Sequence, residues 1–141
     1  MTTAQQIFVN LPVADLDKSI EFFSAVGFEF NPMFTDDTGT CMVLGENFHA
    51  MLLTKPKFRN FTPLPVSDAT QVTEVLVCLM FESRAKVETI VAKALAAGAS
   101  RCRPVEDHGF MLNDNFRDLD GHIWEIAHMD MAAFEQALQR A

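Results

Sequence analysis

EVLVCLMFESRAKVETIVAKALAAGASRCRPV, residues 74–105, reads as strand, polar cap, amphipathic helix, glycine and strand. Its first run alternates Val75, Val77, Leu79 and Phe81 with Leu76, Cys78 and Met80, so both faces are apolar and a strand buried on both sides is predicted. Ser83 is placed to cap the next helix, Val87, Ile90, Val91, Ala94 and Leu95 fall on one stripe, and Gly98 supplies the stop. The same order occurs earlier, in IFVNLPVADLDKSIEFFSAVGFEF, residues 7–30. There Asp15 is the cap, Leu16, Ile20, Phe23 and Val26 form the stripe, and Gly27 ends the helix. A unit repeated at half the chain length points to two copies of one module.

The segments that follow each helix complete the modules. Strands are predicted over 28–34, bending at Pro32, and over 40–44 and 48–54, then in the second copy over 101–106, 110–117 and 122–127. Asp36-Asp37-Thr38-Gly39 and Asp118-Leu119-Asp120-Gly121 are turn chemistry. The expected organisation is a first βαβββ module over 1–55, a connection over 56–72, a second module over 73–130 and a C-terminal helix over 131–141, all in one structural domain. The connection carries three prolines and no period, yet Phe58, Phe61 and Leu64 within it are expected to pack onto the sheet or a ligand. The C-terminal helix has Met131, Phe134 and Leu138 on one side. The fold class is α+β: two tandem βαβββ modules forming curved mixed sheets around a cleft.

A net charge of −8 argues against nucleic acid or an anionic membrane surface as partner. No run reaches the about 18 apolar residues of a membrane span. MTTAQQIFVN has neither the basic nor the long apolar region of a secretory leader, so a cytoplasmic setting is expected. Cys41, Cys78 and Cys102 are isolated, without CxxC or Cys/His spacing, and Cys41 and Cys78 are expected to be buried thiols in a reducing compartment.

FRDLDGHIWEIAHMD, residues 116–130, together with the opening FVNLPVADLDKSIEFF, resembles the glyoxalase/bleomycin-resistance/extradiol-dioxygenase family, the vicinal oxygen chelate fold. The resemblance runs from about residue 7 to residue 130. The FTPLPVSDAT stretch and the HGF before the last hairpin resemble a subgroup labelled predicted lactoylglutathione lyase. In metal-dependent members four strands bring His, Gln or Glu to one divalent ion. The matching positions here are Phe8, Leu53, Leu76 and Glu125, of which only Glu125 has a ligating group. No metal cofactor is therefore expected. The alternative is one divalent metal ion on a shifted set of His49, Glu74 and Glu125, serving a lactoylglutathione lyase-like or extradiol dioxygenase-like activity.

Strand parity assigns Phe8, Asn10, Met51, Leu53, Leu76, Cys78, Met80 and Glu125 to the cleft, with Phe110 or Phe116 at its mouth. That is an apolar lining with few polar anchors, suited to a small, mostly apolar or aromatic ligand. Glu125 stands among apolar neighbours and requires a cation or hydrogen-bond donors to compensate it. It reads either as a catalytic general base or anchor for a basic ligand group, or as a structural carboxylate paired with Asn10, His128 or Arg117. His108 and His122 read as turn residues. A homodimer is expected, because short strands leave edges to cover.

Overall fold

In the computed structural model, residues Met1–Arg140 are described, and they divide into two compact units, Met1–Asp68 and the chain from Ala69 onward. The unit boundary falls inside the stretch expected as a connection.

In the first unit β1 (Ile7–Val13) leads into α1 (Leu16–Val26), and β2 (Glu29–Asp36), β3 (Gly39–Val43) and β4 (Phe48–Thr54) follow. The sheet order is β1-β4-β3-β2, with β1 parallel to β4 and the remaining pairs antiparallel. Asp15 caps α1 by accepting the Lys18 N–H at 3.1 Å, and Gly27 ends it at φ 117°, a left-handed conformation that glycine adopts freely. Leu16, Ser19, Phe22, Phe23 and Val26 are buried on the helix side, over Leu11, Val13, Met42, Ala50 and Leu52 of the sheet. The register of β2 on β3 shifts between Asn31 and Asp36, the stretch that contains Pro32, which has no N–H to give the ladder.

The second unit repeats the plan. β5 (Leu76–Met80), α3 (Arg84–Ala96), β6 (Glu106–Asp107), β7 (Met111–Arg117) and β8 (Ile123–Met129) form a sheet ordered β5-β8-β7-β6, again with a parallel first–last pair. Ser83 caps α3 through the Lys86 N–H, and Val87, Ile90, Val91 and Ala94 are buried where the helix packs on β7 and β8. Trp124, Phe116, Ile126 and Leu112 supply the sheet's share of this core. The C-terminal helix α4 (Met131–Arg140) is tied on by Phe134, whose ring lies 5.2 Å from that of Phe110.

Three expectations change. β5 is not buried on both sides: Leu76, Cys78 and Met80 are exposed, and Val77 and Leu79 face inward only in part. Over 101–106 there is no continuous strand. Pro104 cannot donate to a ladder, and apart from a bridge between Ser100 and Arg117 the strand starts only at Glu106. In the expected connection, Lys55–Arg59 forms the short helix α2, which packs on β1 and β4, whereas Phe61 and Leu64 stand exposed rather than packed.

The β7–β8 turn is knotted around Asp118. Its carboxylate accepts the Asp120 and His122 main-chain N–H groups at 2.9 and 3.0 Å and the Trp124 indole N–H at 2.9 Å. Gly121 turns the chain at φ 89°, and a Cβ there would come within 2.9 Å of the Ala69–Thr70 backbone. Removing the buried acceptor takes away all three of these bonds. Asp118→Ala is expected to cost about 2–4 kcal/mol in urea unfolding followed by Trp124 fluorescence. A loss below about 0.5 kcal/mol would show that the turn holds without this carboxylate.

Candidate functional site

Each sheet has one face under its helix and one face turned away from it. In the first unit β1 and β4 are paired so that Phe8 lies beside His49, Asn10 beside Met51 and Pro12 beside Leu53 on the side away from α1. Phe8 is exposed and stacks on the His49 ring at 4.6 Å, with 17° between the planes. Cys41 and His49 share this side, with Sγ 3.8 Å from Nδ1, and Cys41 is fully buried, as expected. Leu53 is on the expected side but does not line an open surface. It is 4% exposed, at the end of the sheet where α2 packs.

In the second unit the side away from α3 carries Leu76, Cys78 and Met80 of β5. Beside them in register are Ile123, Glu125 and Ala127 of β8, then Arg117, Asn115 and Asn113 of β7. Leu76 and Met80, at the two ends of β5, are 53% and 55% exposed. Phe116 is not at the rim of this surface. It pairs with Trp124, not Glu125, and is fully buried in the core on the α3 side. Phe110 is half-buried, its ring between His108 and Phe134. Cys78, expected to be buried, is exposed.

Glu125 is compensated by a residue that sequence reasoning passed over. The Arg103 guanidinium donates through Nη2 to Glu125 Oε2 and through Nη1 to Glu106 Oε1 at 2.6 Å. None of the partners expected from sequence is the one used. His128 lies on the other side of β8 and takes its contact at the Phe81 carbonyl, with Nδ1 at 2.7 Å.

Arg103 lies on irregular chain, and Asn115 fixes it there. The Asn115 side chain is fully buried. Its Oδ1 accepts the Cys102 and Arg103 main-chain N–H groups at 2.9 and 3.1 Å, and its Nδ2 donates to the Arg103 carbonyl at 2.9 Å. A side-chain amide thus does what a neighbouring strand would do. Next to it Asp114, buried, holds Arg101 by two bonds of 2.9 Å.

The residue types do not fit a divalent ion. Phe8, Leu53 and Leu76 offer no donor atoms, and Glu125 is engaged by a guanidinium. The shifted set fares no better: the His49 ring is stacked on Phe8, and Glu74 lies outside β5. Among the described residues, no three His, Cys, Asp or Glu side chains gather as a metal centre requires.

Cys78 sits directly across from Glu125, and its thiol reports on that charge. Burial of the sulfur among its neighbours and the Glu125 carboxylate push the thiol above the usual cysteine range, while Arg103 pulls it back. Because the thiolate is the reactive form, Cys78 is expected to react with an aromatic disulfide reagent near neutral pH more slowly than a free thiol. Glu125→Gln should speed that reaction, and Cys41 should stay unlabelled until the protein unfolds. An unchanged rate in Glu125→Gln would mean that the carboxylate does not act on the thiol.

A family model described as bleomycin resistance protein-like N-terminal matches residues 5–45. No curated protein matches the sequence. Among solved structures, a hypothetical protein from S. aureus is 26% identical, with 90% of this chain and 95% of that one covered and a TM-score of 0.74. A glyoxalase-related enzyme from Fulvimarina pelagi is 21% identical over 89% of this chain and 88% of its own, also at 0.74. A glyoxalase/bleomycin resistance protein/dioxygenase family enzyme from Burkholderia phytofirmans PsJN is 14% identical over 86% and 96%, at 0.70. Together with the repeated module, these likenesses show that the chain shares the fold of glyoxalase/bleomycin resistance/dioxygenase proteins, and its residues 5–45 match the bleomycin resistance protein-like N-terminal model.

Proposed function

We propose that the protein binds a small, mostly apolar or aromatic molecule against the sheet faces turned away from its helices. The observation that carries this reading is the exposure of Phe8 on one sheet and of Leu76, Cys78 and Met80 along the length of β5 on the other. Exposed apolar side chains arranged in register on a sheet form a surface that gains by being covered. On the second face the apolar side chains lie beside polar groups, with Glu125 held by Arg103 and with Asn113, Asn115 and Arg117 on β7, a mixture that ligand sites tend to have.

Three of the four positions that match the family's metal ligands, Phe8, Leu53 and Leu76, are apolar here, so the reading is of binding without a resident ion. Drug sequestration is one form this could take. We further propose a homodimer, because β1, β2, β5 and β6 are edge strands of their sheets. No helix is long and apolar enough to cross a membrane. The proposed setting is the cytoplasm, where the three unpaired cysteines would stay reduced.

A panel of aromatic compounds tests the binding reading, with two readouts: the thermal midpoint and protection of Cys78 from thiol labelling. Compounds that raise the midpoint should also slow labelling of Cys78. Leu76→Asp, an exposed change, should abolish both effects while leaving the unliganded midpoint within a few degrees. If no compound does either, the binding function is wrong. Light scattering after size exclusion should give twice the 15.8 kDa chain mass, and a monomer at micromolar concentration would remove the dimer from the proposal.

A further inference from the structure

Resting on that binding reading, we propose that Glu125, with Arg103 behind it, is a subsite for a nitrogen cation or N–H donor carried by the apolar ligand. Glu125 has a single hydrogen-bond partner among the described residues. Arg103 engages Oε2, and Oε1 takes no hydrogen bond, on a side chain that keeps 17% of its surface exposed. Arg103 is shared between two carboxylates, Glu125 and Glu106, so the three groups together carry one surplus negative charge. His108 approaches Glu106 at 3.5 Å, not Glu125. The neighbours of Glu125 on β5 and β8 are Cys78, Leu76, Met80, Ile123 and Ala127, none of which adds a charge while the thiol is protonated; on β7 Asn115 is its partner, and Arg117, paired with Ile123, is the further cation on this face.

The arrangement selects by sign. An anion arriving over Cys78 and Glu125 meets the surplus negative charge, with the arginine already spent on two acids. A protonated amine or other N–H donor finds an open carboxylate oxygen in surroundings of low polarity, where a charge-assisted bond is strong. Asn115 keeps the arrangement rigid, since it fixes the backbone from which Arg103 reaches.

Three probes of one shape separate the possibilities at neutral pH: naphthylmethylamine, naphthalenemethanol and naphthoate. Binding is read by amide NMR shifts at Cys78 and Glu125. The amine is expected to bind about tenfold more tightly than the alcohol, with naphthoate the weakest. Glu125→Gln should bring amine and alcohol within about twofold of each other. The ranking in the unaltered protein stands as a test even if that variant folds poorly. Equal binding of all three would overturn the subsite while leaving the apolar-face reading intact. Tightest binding of naphthoate would assign the recognition to Arg103 and overturn it as well. No binding by any probe would bring down both.

Discussion

Much of the second unit's chemistry rests on one buried amide. Asn115 spends both ends of its side chain on the backbone of Cys102 and Arg103. Without those bonds the segment around Pro104 has no ladder to join, and nothing would hold Arg103 over the sheet. Glu125 would then be a carboxylate on an apolar strand face with no counter-ion, an expensive state. A fully buried asparagine in mid-strand is itself costly unless satisfied, and here it is satisfied by the very segment it organises. The paired Arg101 and Asp114 reinforce the same junction from the adjacent positions.

The two units share a plan but differ in how their open faces are finished. In the first, Phe8 stacked on His49 and a buried Cys41 share the face with Val43 and, on the edge strand, the exposed Glu29. In the second, an ion pair is set into an apolar field. The duplicated module thus carries an ion pair beside its central strands in one copy and an aromatic stack in the other. That asymmetry, more than the fold, is what a ligand would read, since the fold by itself hosts many chemistries.

Much of the architecture was legible because period and capping agree. The stripes of α1 and α3 fall on the residues that are buried, with Phe22 replacing Ile20 as a full core residue, and Asp15 and Ser83 cap as their positions imply. The burial of β5 was misread for a physical reason: an apolar run looks the same whether its second face meets a helix or a ligand surface. Phe116 was misassigned because its side is fixed by pairing with Trp124, and register cannot be read from one strand alone. Arg103 was missed because its partnership with Glu125 spans 22 positions and depends on an irregular segment. Arg101-x-Arg103 facing Asp114-Asn115 was the available hint, since charges on adjoining apolar strands must find partners.

The parallel pairing of first and last strands has a consequence for biosynthesis. β5 touches only β8 within its sheet, and β8 is the last strand made. As the polypeptide leaves the ribosome, Leu76, Cys78 and Met80 therefore wait, hydrogen bonds unmade, until residues 123–127 have emerged. The first unit meets the same delay over a shorter span, from β1 to β4, and can close while the second is still being translated. The nascent second unit is thus the vulnerable species, a sticky unpaired edge, and the interval in which a chaperone would matter is set by the distance between its two outermost codons for sheet.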